Sequence, residues 1–331
     1  MQYGLMMVLS PREPIARFPT IAKRAEDLGF STAWLGESQL IAKDAYVALA
    51  LAAGETNRIQ LGPGVANPVT RHATVLANTM AALHEVSAGR SVLGIGTGDS
   101  AVRTIGAKPA TVAELGTCID RIRALLNGEE VDLDGHSVQL LTANGPLPIF
   151  VSASQPRMLR LAGAKADGVV LMGGAEPGVT QWQLDHIQAG AREAGRSLDD
   201  VFIDLWFAIA VDEDRAQARK DVSAWVTSQA RFFAKWKALP ASLQPFAEEF
   251  ERAYRSYDFY HHLSRHAEHA QGVSEELIDL LAVAGPVDVC VEKIAALRDL
   301  KIDQITFTLL SGGRMERLRR LGEDLIPALG A

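Results

Sequence analysis

The chain has 331 residues, 48% of them hydrophobic and 22% charged, with a formal net charge of −7. This length fits one large α/β barrel or two modest domains, and the composition excludes a disordered chain. An acidic balance without a dense basic tract excludes a nucleic-acid partner. The opening MQYGLMMVLSPREPIA meets proline and charge too early for a signal peptide or membrane span, and the isolated Cys118 and Cys290 make no disulfide framework. A cytoplasmic chain with no membrane partner is expected.

The run YGLMMV at 3–8 reads as a buried strand, followed by a helix that closes on Gly29. STAWLG at 31–36 is a second strand, DAYVALALAAGET a helix capped by Asp44, and RIQLGPG at 58–64 a third strand. A helix over 73–88 precedes SVLGIG, the fourth strand, and another over 111–126 follows it. Residues 129–141 alternate around Asp134-Gly135 as a hairpin excursion. LPIFVSA at 147–153 and DGVVLMG at 167–173 are the fifth and sixth strands, each leading into a helix, and DVFIDLWFAIAV is the seventh. VDVCVEKIAALRDL is a helix, DQITFTLL at 303–310 the eighth strand, and MERLRRLGEDLIPAL the closing helix. Eight apolar strands alternating with helices predict a (β/α)₈ TIM barrel occupying 1–331 as a single domain, with a helical insertion at 212–284 over the active face.

The segment SVLGIGTGD at 91–99 is neither common glycine motif. A dinucleotide fingerprint needs glycine where Asp99 stands, and a triphosphate loop needs a lysine after Gly98. Gly96 and Gly98 instead open a turn at the carboxyl end of a strand. VSASQP at 151–156 and VLMGGAEPG at 170–178 make two similar turns with hydroxyls and glycines, a combination suited to a phosphate-bearing cofactor across the barrel mouth.

Residues 66–99, ANPVTRHATVLANTMAALHEVSAGRSVLGIGTGD, closely resemble the corresponding segment of the bacterial-luciferase-like superfamily of flavin- and deazaflavin-dependent oxidoreductases. Residues 151–174, VSASQPRMLRLAGAKADGVVLMGG, are similar to its second signature, particularly in members resembling methylenetetrahydromethanopterin reductase. The resemblance implies a (β/α)₈ barrel, usually a homodimer, holding FMN or coenzyme F420 at its carboxyl face. It implies a cofactor phosphate near Gly173, Gly174 and the Ser152, Ala153, Ser154 turn, with Thr97, Gly98 and Asp99 along the cofactor. It also implies a non-proline cis peptide at Gly64-Val65. Two departures count: WLGESQ has Glu37 followed by Ser38 where many relatives carry a histidine after the acid, and the first strand ends in Met6 and Met7 where methanopterin-type reductases tend to carry an acid. Alcohol or sugar-phosphate oxidation that depends on those groups is thereby put in doubt.

Glu37 reads either as a hydrogen-bond acceptor or weak base or as a carboxylate paired with Arg71, and Arg71 either as an anion anchor or as that partner. Asn67 either donates to a flavin carbonyl or fixes its loop, and Asp99 either receives a cofactor hydroxyl or caps the following segment. His72 reads as a helix-start residue. In YRSYDFYHHLSRHAEHA, His262, His266 and His269 recur near helical spacing as a substrate wall or dimer contact, with no metal site expected, and His262 is the replacement for the missing second-strand histidine. The absent acid and histidine fit a monooxygenase in which reduced FMN, supplied by a separate reductase, reacts with oxygen beside a small organic substrate through a flavin peroxide. The alternative is F420-dependent hydride transfer, which needs a basic groove for the acidic F420 tail. Near the phosphate turns only Arg157 and Arg160 offer one.

Overall fold

The computed structural model describes residues 1–264, 267–268, 272–310 and 312–330. Eight strands, Gln2–Met7, Thr32–Leu35, Gln60–Pro63, Leu93–Ile95, Ile149–Ala153, Gly168–Leu171, Phe202–Val211 and Gln304–Leu309, make the barrel. Their bonded order runs third, second, first, eighth, seventh, sixth, fifth, fourth, with each neighbouring pair parallel. Bridges Leu61↔Ser91 and Ala66↔Ile95 join the third strand to the fourth and close the ring. The (β/α)₈ architecture read from the strand pattern is therefore present.

Local chemistry sets the helix starts. The Asp44 carboxylate accepts from the Tyr46 and Val47 amides at 3.0 Å each and opens the helix Ala45–Glu55. Thr111 and Glu114 form a reciprocal capping box on Val112–Leu126. The hairpin pairs Val131–Leu133 with His136–Val138 around Asp134 and Gly135, both at positive φ (54° and 89°), the backbone a tight two-residue turn demands.

Between the seventh and eighth strands lie the helices Arg215–Phe233, Ala247–Ser256 and Glu275–Leu281. A strand at Val283–Gly285, too short to show a sequence period, pairs parallel with the carboxyl end of the seventh strand. The closing helix breaks into Arg314–Arg319, a π-helical turn at Arg320–Leu325 and a last turn at Ile326–Ala328. No helix among the described residues is long and apolar enough to cross a membrane.

Strand alternation sorts the aromatic residues. Phe207 packs outward against Phe307, which stacks on Tyr3 at 5.7 Å. Trp206 points inward, 5.5 Å from Trp34, and Trp34 lies 5.7 Å from Phe150. Glycines make room for these large rings: a Cβ on Gly64 would stand 2.7 Å from Trp206, and one on Gly168 2.6 Å from the Phe150 ring. The barrel axis is thus a packed aromatic plug, with a cavity above it at the carboxyl end and a smaller one below.

Candidate active site at the carboxyl face

A cavity of about 970 Å³ opens where the strands end. Its floor and walls take Met6 and Val8 from the first strand end, Glu37 from the second, and Gly64, Val65 and Asn67 from the third. The fourth gives Gly96 to Asp99, the fifth Ser152 and Ser154, the sixth Met172, and the seventh Trp206. The insertion supplies a further wall including Trp225, Arg231, Trp236 and His262. The turns after the fourth, fifth and sixth strands meet at this one cavity. The Gly64-Val65 peptide is cis, as the resemblance implied.

Glu37 is committed within the protein. Arg71 Nε donates to its Oε1 at 2.5 Å and the Tyr46 hydroxyl to its Oε2 at 2.9 Å. The guanidinium of Arg71 also reaches Asp44 at 3.3 Å and lies 4.2 Å over the Tyr46 ring. Burial pushes the Glu37 carboxyl up and the Arg71 pairing opposes it. Of the two readings of Glu37, the paired carboxylate is the one the geometry displays.

Asp99 does not cap. It precedes the short helix Ser100–Arg103 without a side-chain cap bond, and its carboxylate takes a two-pronged contact from Arg231, with Nη1 donating to Oδ1 at 3.0 Å and Nη2 to Oδ2. Burial would raise this carboxyl, but the Arg231 charge and hydrogen bonds, with His262 and Arg103, hold it below its ordinary value. Arg231 is itself 4% exposed and lies 4.2, 4.5 and 5.0 Å from the rings of Phe232, Tyr257 and Phe259. Asp99 therefore ties the fourth-strand turn to the insertion, a partnership across 132 residues that no local pattern announces.

Asn67 lines the cavity while its Oδ1 accepts from the Val69 and Thr70 amides at 3.1 and 2.9 Å, which fixes the loop. Gly98 holds φ +97°, and a Cβ there would run into Val102. His72 is exposed and starts the helix Ala73–Val86 by bonding to Thr74. His262 lines the cavity with Nδ1 2.5 Å from the Tyr257 hydroxyl. His266 and His269 lie outside the described residues.

Ala153, Gly173 and Gly174 are not among the residues that line the cavity. Ala153 is buried among outer-core residues, Gly173 faces Gln183 and Val179, and Gly174 at φ +83° abuts Leu281. The helix after this sixth-strand turn, Pro177–Glu193, is closed by the Glu176 carboxylate accepting from Val179 N at 2.5 Å. By contrast, the helix Pro156–Lys165 after the fifth strand has no side-chain cap, and its first turn, Gln155 to Met158, lines the cavity together with Ser154. Uncapped amides and serine hydroxyls make the fifth-strand turn the better match for an anion.

Sequence reasoning missed the basic rim. Arg103, Arg157, Arg231, Lys235 and Lys237 line the cavity against two carboxylates, Glu37 and Asp99, both of which already have cationic partners. Arg157, Lys235 and Lys237 have no carboxylate partner among the described residues, Lys235 lying over the Tyr254 ring at 3.7 Å. Besides Arg157, named from the sequence, the KWK triplet at 235–237 is the visible signal. Trp182 and Trp236, stacked at 4.5 Å, close the same side.

The chain is 30% identical over 337 residues to a 5,10-methylenetetrahydromethanopterin reductase of Methanolobus tindarius, covering 98% of this chain and 100% of the relative. It is 28% identical over 290 residues to an F420-dependent glucose-6-phosphate dehydrogenase of Nakamurella multipartita, covering 83% and 79%. Its fold matches the coenzyme F420 dependent tetrahydromethanopterin reductase of Methanopyrus kandleri with a TM-score of 0.80 at 25% identity over 99% of both chains. These similarities overturn the expectation of reduced FMN and oxygen, because the similar proteins at 25–30% identity are methylenetetrahydromethanopterin reductases and F420-dependent glucose-6-phosphate dehydrogenases. The physical reason is the rim: around Arg157, residues 103, 231, 235 and 237, distant in sequence, complete a basic groove. Residues 3–304 match the luciferase-like monooxygenase family, and with the closed barrel and its carboxyl-face cavity the chain belongs to that family.

Proposed function

We propose that the chain is a coenzyme F420-dependent oxidoreductase acting on a small organic substrate. The observation that carries this reading is the rim of five cationic side chains, three of them without a carboxylate partner among the described residues, above an otherwise largely apolar cavity. F420 is an acidic, phosphate-bearing deazaflavin, and such a rim complements it. The residues present fit that group. Gly96 and Gly98 leave open backbone where a Cβ would crowd Val65 or Val102, and the uncapped helix start at Gln155 to Met158 with Ser152 and Ser154 offers donors for a phosphate. When bound, the deazaflavin supplies a two-electron hydride donor or acceptor.

The chain's own residues then orient and exclude water. Gly64, Val65, Thr97 and Gly98 make the cradle, and Met6, Val8, Met172 and Trp206 keep the reacting face apolar. Arg157, Lys235 and Lys237 draw in the acidic portion of the cofactor. Glu37 is held by Arg71 and Tyr46 and holds the second-strand turn in place. His262 lines the insertion wall and is the group assigned to carry a proton for the substrate. With neither an acid at the first strand end nor a histidine after Glu37, the site suits a substrate whose reacting carbon takes hydride without a strong base beside it.

The test is a pair of binding titrations, oxidised F420 and FMN, each at low and high salt, followed by anaerobic turnover of F420 with carbonyl, imine and alcohol panels. Tight, salt-sensitive F420 binding with F420 turnover supports the reading. FMN binding without F420 binding sinks it.

A further inference from the structure

Asp204 has no role in the chemistry described above, yet it is a carboxyl placed at the barrel axis with no exposed surface. It sits on the seventh strand two residues before Trp206, on the same inward face. Trp34 Nε1 donates to its Oδ2 at 3.1 Å, Gln304 Nε2 to the same oxygen at 2.9 Å, and Thr306 Oγ1 to its Oδ1 at 2.7 Å. The Trp206 indole N–H is turned toward it without closing a hydrogen bond of good geometry. These two indoles are the upper side of the plug: Trp206 lines the cavity floor, and Gly64 of the cis peptide is wedged against Trp206 and the Trp34 Cβ. Below, Gln304 accepts from Thr32 Oγ1 at 3.1 Å, and Thr32 meets Gln60 at 3.4 Å; both line the separate cavity at the amino end.

We propose that Asp204 is a positioning residue: from beneath the floor it holds the Trp34 indole, and through it the Trp206 ring packed 5.5 Å away, under the Gly64-Val65 cradle. Facing the carboxyl are Trp34 from the second strand, Trp206 from its own, and Gln304 and Thr306 from the eighth, all uncharged. The ionisable groups lining the lower cavity are Glu26, Arg58 and Asp167. Burial outweighs the donated hydrogen bonds and pushes Asp204 up to about 7. Within the neutral range the carboxyl therefore switches between a neutral partner and an anion for the Trp34 indole.

The experiment is a pH titration of intrinsic tryptophan emission on the chain without added cofactor, so its outcome is independent of whether F420 is the right cofactor. In a His186→Gln background, which removes the imidazole 4.5 Å from Trp182, the emission should show a sigmoidal shift centred near pH 7; adding Asp204→Asn should abolish it, and adding Thr306→Val, which removes one hydrogen bond to the anion, should move the midpoint upward. An Asp204→Asn titration identical to that of the background overturns the proposal. Should Asp204→Asn fail to fold, Thr306→Val decides: an unmoved midpoint overturns it.

Discussion

Arg231→Met isolates the contact that fastens the insertion to the barrel. The wild-type guanidinium makes two charge-assisted hydrogen bonds to Asp99 and faces three aromatic rings. Charge-assisted bonds contribute about 1.5–3 kcal/mol each and desolvated cation–aromatic contacts about 1–2 kcal/mol. Methionine restores part of the packing, and water reaches Asp99, whose side chain is 28% exposed. The expected net loss is about 3 kcal/mol, within the range for breaking a partly buried pair. Because Asp99 is held below its ordinary 3.8, the stabilisation from its pairing is present above that pH and lost as pH falls through the folded value. The variant should lack that acid-side loss. Urea unfolding and limited proteolysis measure the effect, with faster cleavage expected within 234–264. The decisive comparison is the double-mutant cycle with Asp99→Asn: a coupling of about 1.5 kcal/mol or more is expected. Simple additivity, or unchanged proteolysis, would refute the argument.

Four further outcomes follow from the same geometry. Glu37→Gln should leave the pH profile of turnover unchanged and kcat within roughly tenfold, since a paired carboxylate is not the base; loss of one limb of a bell-shaped profile would restore Glu37 as a catalyst. Replacing Arg157 and Lys237 together by glutamate should weaken F420 binding at least about tenfold at low salt, with the difference shrinking at high salt, as read by titration calorimetry. Gly64→Ala places a Cβ 2.7 Å from Trp206; about 1–3 kcal/mol of destabilisation by urea unfolding is expected from overpacking. Wild-type stability should fall as pH rises from about 4 to about 7, because native Asp204 binds a proton there that the unfolded chain has released. The shift corresponds to about 4 kcal/mol as an upper estimate, and Asp204→Asn should remove that slope in pH-dependent denaturation.

The strands, their carboxyl-end turns and the helix caps were legible in the sequence because each rests on neighbours. Asp44 reaches amides two and three residues on, Thr111 and Glu114 cap each other, and apolar runs separated by helices fold one way round a barrel. That local logic also placed residues 96–99, Ser152 and Ser154 at one mouth. It failed wherever partners are distant in sequence. Asp99 is ambiguous in sequence because Arg231 lies in the insertion, the basic rim is only partly legible because its members come from three separate segments, and the sixth-strand glycines resemble a phosphate cradle although Glu176 closes the helix beside them. Asp204 attracted no notice in DLWFAIAV, since only ring closure surrounds it with Trp34, Gln304 and Thr306. Sequence by itself determined the barrel and which ends of its strands converge, since hydrogen bonds and periodicity act at short range. Tertiary structure decided which charges are neutralised and which remain for a ligand, because Coulomb and burial terms depend on distance in space.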